Sequence, residues 1–145
     1  MIARKEDLVK IQDTLEMKIP FHDTDVAGWV YHSNYLKYGD EGFIHFFEKK
    51  LCISTLQEVI DSSIVFPVRT LTIEYKSPAK FGEVVLITTQ ITSIGTTSFN
   101  LTQEIRKKEN DALLATIEST RVIFNVNTKH PQNALEFFRA CTVKP

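Results

Sequence analysis

Two glycines three residues apart lie inside what otherwise reads as the longest helix of the chain, and they restrict the fold more than any other feature. Over residues 33–50, Tyr35, Gly39, Gly42, Phe43, Phe46 and Lys50 recur near helical spacing, with Phe47 widening the stripe. The pattern predicts a helix of about five turns at ~3.6 residues each. A glycine costs about 1 kcal/mol relative to alanine in a helix interior. Gly39 and Gly42 therefore point to a neighbour packed so close to the helix backbone that a Cβ would be in its way. A curved sheet wrapped around the helix is such a neighbour.

The rest of the chain supplies the sheet. Leu15, Met17 and Ile19 alternate with polar residues as a half-buried strand does, and Pro20 closes the run. A short amphipathic piece over residues 54–60 follows the long helix. Four strand-like runs come next, at 64–76, 83–94, 98–107 and 112–126, rich in Val, Ile, Thr and Phe. Between them stand Ser77-Pro78-Ala79, Phe81-Gly82-Glu83, Ile94-Gly95-Thr96 and Glu109-Asn110-Asp111, which carry turn residues; the last two are short enough to join antiparallel neighbours. After His130-Pro131, residues 133–140 form a final short helix that docks Leu135, Phe137 and Phe138. The fold class is thus α+β, an antiparallel sheet of about five strands wrapped around one long central helix. With 145 residues, no repeat and no Gly/Pro/Ser-rich linker, the chain is a single domain, 1–145.

Composition narrows the function. Lys and Arg total 17 against 18 Asp and Glu, so no global field gathers nucleic acid or an anionic membrane. Cys52 and Cys141 are the only cysteines and lie far apart in sequence, which fits two small buried hydrophobes in a reduced intracellular protein. No run approaches the roughly 18 apolar residues of a membrane span, and MIARKEDLVKIQDTL lacks the apolar centre of a signal peptide. The expectation is a soluble, cytoplasmic protein.

The chemistry concentrates in PFHDTDVAGWVYHSNYL, residues 20–36, a polar loop ending where the long helix begins. The first turn of a helix carries unpaired N–H groups and a partial positive charge, which favours a developing oxyanion. A carboxylate held beside it can attack or deprotonate. Gly28 lets the backbone approach a ligand or take a positive φ, and Trp29, Val30 and Tyr31 can exclude water. This design fits acyl chemistry, although Asp23 and Asp25 with His22 and His32 also have the atoms of a divalent-cation site. No distant His/Asp/Glu cluster completes one, so the reading needs neither metal nor cofactor.

Asp23-Thr24-Asp25, Gly28, Val30, Tyr31-His32, Asn34-Tyr35-Leu36 and Asp40 resemble, in register, the signature of hotdog-fold thioesterases of the 4-hydroxybenzoyl-CoA and YbgC-like acyl-CoA type. Phe66-Pro67-Val68-Arg69, then Ile73-Glu74-Tyr75-Lys76-Ser77-Pro78-Ala79 and Gly82-Glu83, look like that family's second strand and its exit turn. The resemblance implies an acyl-CoA thioesterase in which Asp25 acts on the thioester carbonyl as nucleophile or general base. It implies that the His32 amide polarises the carbonyl oxygen, with the His32 side chain orienting substrate or Asp25, or else packing at a subunit boundary. Asp23 then ties the loop. Substrate contacts are implied at Gly28, Trp29, Val30, Tyr31, Phe43, Phe66, Val68 and Arg69, with Trp29, Tyr31, Phe43 and Phe66 forming the floor for a short aliphatic or aryl acyl group. His22, His45 and His130 receive no chemical role.

One departure stands out. Where relatives often carry arginine or lysine for the nucleotide end of CoA, this chain reads Ile94-Gly95-Thr96-Thr97-Ser98. Thr97 and Ser98, with Lys76 or Lys80, are left to make that contact, and a carrier-protein thioester becomes an alternative substrate. The family also pairs subunits edge to edge with the site between them, implying a homodimer or homotetramer. Its other members allow two further readings, a non-catalytic acyl-binding module and a dehydratase.

Overall fold

The computed structural model describes residues 4–52 and 54–141. Its elements are helix α1 (Lys5–Leu8), strand β1 (Gln12–Lys18), helix α2 (Asn34–Phe46), helix α3 (Leu56–Asp61), strands β2 (Ile64–Val65), β3 (Val68–Tyr75), β4 (Val84–Ile94), β5 (Ser98–Lys107), β6 (Leu113–Val122), β7 (Phe124–Asn125) and β8 (His130–Pro131), and helix α4 (Ala134–Cys141). The main sheet is antiparallel with the order β1-β4-β5-β6-β3, and α2 packs on it as the central helix.

The two glycines of α2 are where sheet and helix touch. A Cβ at Gly42 would stand 2.5 Å from Cγ2 of Ile87 and 3.1 Å from Oγ1 of Thr89, and one at Gly39 would stand 3.0 Å from both Gln103 Oε1 and Ile117 Cδ1. Gln103 is buried at this waist and donates from Nε2 to the Gly39 carbonyl (2.7 Å) and to Thr89 Oγ1 (3.0 Å). An amide in an apolar interior needs such partners. The waist separates two apolar clusters. Tyr35, Tyr38, Val30, Ile87, Ile105 and Ile117 gather about the N-terminal half of α2. Phe43, Phe46, Phe47, Phe66, Phe99 and Phe138 gather about its C-terminal end.

Three features differ from the sequence reading. The helix expected over 33–50 is α-helical through Phe46 and finishes in one π-helical turn, Phe47–Leu51. The long strands at 64–76 and 112–126 both break: Pro67 has no N–H for a ladder, and beyond it β2 pairs with β7, and β7 with β8, in a separate three-stranded sheet. Cys52 and Cys141 are buried as expected but are not free thiols. They form a disulfide, because α4 folds back onto the end of the π-turn and brings their Cα atoms to 4.7 Å. Separation along the chain carries no information about that return. Among the described residues, no helix is long and apolar enough to cross a membrane.

Candidate active site

Asp25 and Gly28 are three apart because they open and close a hairpin. The Gly28 N–H donates to the Asp25 carbonyl (2.9 Å), the Asp25 N–H donates to the Trp29 carbonyl (2.8 Å), and Thr24 pairs with Val30. This is a three-residue loop whose last position is left-handed, and Gly28 has φ +78°. A Cβ there would only touch the Phe81 ring at 3.8 Å, so conformation rather than space requires glycine. The Ala27 N–H donates to Asp25 Oδ1 (2.9 Å), which fixes the carboxylate at the hairpin's corner. Among the described residues its other oxygen has no partner. The hairpin is pinned from behind by Val30 N–H to the Ala79 carbonyl (2.8 Å) and Phe81 N–H to the Gly28 carbonyl (3.3 Å).

Asp23 is the buried acid of the pair. Its side chain is 3% exposed, accepts from Tyr38 Oη (2.7 Å) and is ion-paired with Lys37, while its carbonyl accepts from the Tyr31 N–H (3.0 Å) and Asn34 Nδ2 (2.8 Å). The hairpin is thereby fastened to the first turns of α2. Burial pushes the Asp23 carboxyl up, but the hydrogen bonds from Lys37 and Tyr38 and the Lys37 charge outweigh it and hold the group below its ordinary value. The Tyr38 hydroxyl moves the other way, pushed up by burial and by donating to Asp23, so it stays a donor at any physiological pH. A depressed carboxylate stabilises the fold above its unfolded pKa of about 3.9, and that stabilisation disappears as pH falls through the folded value. Asp23→Ala is therefore expected to lower stability by about 2 kcal/mol at pH 7, with the gap to the unsubstituted protein narrowing below about pH 4. Thermal melts of both proteins at pH 7 and pH 3 check this; a gap that widens in acid contradicts it.

The start of α2 is under-capped. Asn34, Tyr35 and Leu36 donate to the Tyr31, His32 and Ser33 carbonyls, and the Ser33 side chain makes no cap. Among the described residues no acceptor takes the His32 or Ser33 N–H. His32 and Asp25 line the same cleft of about 400 Å³, with Trp29, Val30, Tyr31, Tyr35, Tyr75, Lys76, Ser77 and Pro78. Tyr31 lies against the His32 ring at 4.4 Å, and Tyr75 meets Tyr35 edge-on at 5.4 Å. Trp29, Tyr31 and Tyr75 are about half exposed, at 46%, 50% and 47%.

Of the residues singled out from sequence, Asp25, Trp29, Val30, Tyr31, His32 and Lys76 line this cleft, and Gly28 shapes the hairpin above it. Phe43 and Phe66 do not line it. They line a second, mostly apolar pocket of about 260 Å³ at the other end of α2, together with Asp40, Leu56, Ile60 and Arg121. Val68 and Arg69 begin the exposed strand β3, and Thr97 and Ser98 lie, half-buried, at the β4–β5 turn. Tyr35 and Tyr75 were missed as cleft residues. Helical spacing marks Tyr35 as core and strand alternation accounts for Tyr75, so neither carries a local sign of the cleft. Of the histidines without an assigned role, His22 stands 3.6 Å from Asp23 and His45 Nδ1 lies 2.6 Å from Asp13 Oδ2. Among the described residues, no three His, Cys, Asp or Glu side chains converge as metal ligands would.

The family model described as Thioesterase-like superfamily matches residues 19–143. The chain belongs to that superfamily. This thioesterase-like protein is 31% identical over 102 residues to the acyl-CoA thioester hydrolase YbgC of Escherichia coli, covering 67% of this chain and 71% of the relative. Among solved structures it resembles a gentisyl-coenzyme A thioesterase, with 29% identity, a TM-score of 0.76 and coverage of 86% of this chain and 99% of that one. A 1,4-dihydroxy-2-naphthoyl-CoA thioesterase from Synechocystis shares the fold at 23% identity, with a TM-score of 0.79 and coverage of 92% and 99%. The thioesterase-like chain accordingly has the hotdog fold, an antiparallel five-stranded sheet around one long helix.

Proposed function

We propose that this protein hydrolyses an acyl-CoA thioester to the free acid and CoA, with Asp25 as the catalytic carboxylate and the N–H groups at the start of α2 as the oxyanion donors. The observation that carries the reading is one cleft lined by both Asp25, which has a carboxylate oxygen without a partner among the described residues, and His32, whose N–H no acceptor among them takes. The carboxylate either attacks the carbonyl carbon, expelling CoA thiolate to leave a mixed anhydride that water opens, or takes a proton from the water that attacks. Both routes consume one water and release one acid and one thiol, and both place negative charge on the carbonyl oxygen, where aimed amides count most.

A second copy of the chain is part of the proposal. Strand β3 is an edge of the main sheet, and Leu71 and Tyr75 are exposed, which leaves an open ladder and uncovered apolar side chains. Twofold pairing of two β3 strands about their midpoint would set Tyr75 of one copy beside Val68 of the other. The Phe43–Phe66 pocket of one chain would then approach the Asp25 cleft of its partner, which is how those two rings could reach the acyl group. The outer face of the sheet is lined by Thr70, Thr72, Thr92, Thr102, Glu118 and Thr120, a surface suited to water, so the assembly proposed is a dimer.

The aromatic walls suit an aryl or a short aliphatic acyl group. The test is a panel of both kinds of acyl-CoA assayed for thiol release, with molecular mass measured by light scattering. Turnover by a dimer is expected. Acyl-CoA binding without release of thiol on any member of the panel would make the protein an acyl-binding module instead.

A further inference from the structure

We propose that Tyr75 is a positioning residue that aims the amide donors at the start of α2; this deepens the thioesterase reading and rests on it. Tyr75 ends β3, 43 residues from His32 in sequence, and its Oη donates to the His32 carbonyl at 3.0 Å. That carbonyl already accepts the Tyr35 N–H, at 3.3 Å. The hydroxyl is therefore not needed to satisfy it. The Tyr75 ring is held in place edge-on by Tyr35 at 5.4 Å and by His32 at 6.4 Å.

The two peptides that matter are held on either side and from within. The Asp23 carbonyl accepts from the Tyr31 N–H before them and from Asn34 Nδ2 after them. Tyr75 holds the His32 carbonyl, which belongs to the second of the two peptides. No acceptor among the described residues takes the His32 or Ser33 N–H. A donor on the His32 C=O also polarises the Ser33 N–H, because the two belong to one peptide unit. Oxyanion donors act by being aimed before charge develops, so a freed peptide plane weakens the transition state more than the bound substrate.

Tyr75→Phe removes the hydroxyl and keeps the ring. In the otherwise unchanged protein the expected result is a kcat about tenfold lower with KM within about twofold, since an indirect contact is worth less than a direct oxyanion donor. Amide exchange at Tyr31 and Tyr35, which bracket the turn, should be several-fold faster in the variant, with the mass in solution unchanged. An unchanged kcat, or a loss confined to KM, overturns the role. If the unsubstituted protein cleaves no thioester, the activity reading fails by itself, and exchange still decides this one: faster exchange in the variant supports the anchor, and equal rates in the two proteins overturn it.

Discussion

Asp25→Asn is expected to lower kcat for thioester hydrolysis by about 10³-fold or more while leaving melting temperature and mass in solution unchanged. The asymmetry comes from the two oxygens of the side chain. Oδ1 is structural, accepting the Ala27 N–H that fixes the hairpin corner, and an asparagine carbonyl accepts the same bond. The other oxygen has no partner among the described residues, and there the substitution replaces a basic, nucleophilic atom by an amide nitrogen that is neither. Asp25→Ala would blur the comparison, because it also removes the Ala27 bond and frees the hairpin. Thiol release under saturating substrate, beside a thermal melt of each protein, checks the prediction. Retention of more than about a tenth of kcat in Asp25→Asn would remove Asp25 from the chemistry, whichever of its two roles is considered.

What sequence could show here was local, and what it missed was made by distant returns of the chain. The spacing of Asp25 and Gly28 is a turn rule, and Gly39 and Gly42 read as contact points because poor helix formers need a reason to stand in a helix; the Ile87 and Gln103 contacts supply it. Asp23 could be read as a loop tie for the same local reason, although its partners Lys37 and Tyr38 lie a helix away. Pro67 was visible, yet its effect was not: a strand reading from alternation runs through a proline that the ladder cannot. The Cys52–Cys141 bond, the Tyr75 contact to His32 and the separation of Phe43 and Phe66 from the cleft all join or part residues through the closing of the sheet on the helix. Apolar periodicity says that a ring is inside, not at which end of the helix it lies.

Gly42→Ala is expected to destabilise the protein even though alanine is the better helix former. In an open helix the change would gain about 1 kcal/mol. Here the new methyl would stand 2.5 Å from Cγ2 of Ile87, a fully buried, β-branched side chain with one favoured rotamer and no free volume to retreat into. Its other neighbours, Thr89 Oγ1 and Gln103 Nε2, are hydrogen-bonded to each other, so yielding there strains that bond. Overpacking of this kind costs about 1–3 kcal/mol, and the upper part of that range outweighs the helix gain. The net loss of about 1–2 kcal/mol corresponds to a fall of roughly 4–8 °C in Tm for a chain of this size. Gly39→Ala is the internal control. Its methyl would stand 3.0 Å from Gln103 Oε1 and from the terminal Cδ1 of Ile117, half an ångström farther than the 2.5 Å contact at Gly42, so a smaller fall is expected. A Gly42→Ala protein that melts at or above the temperature of the original would mean that the sheet does not grip the helix at this waist. The placement of α2, and with it of His32 on the cleft that Asp25 lines, would then need another cause.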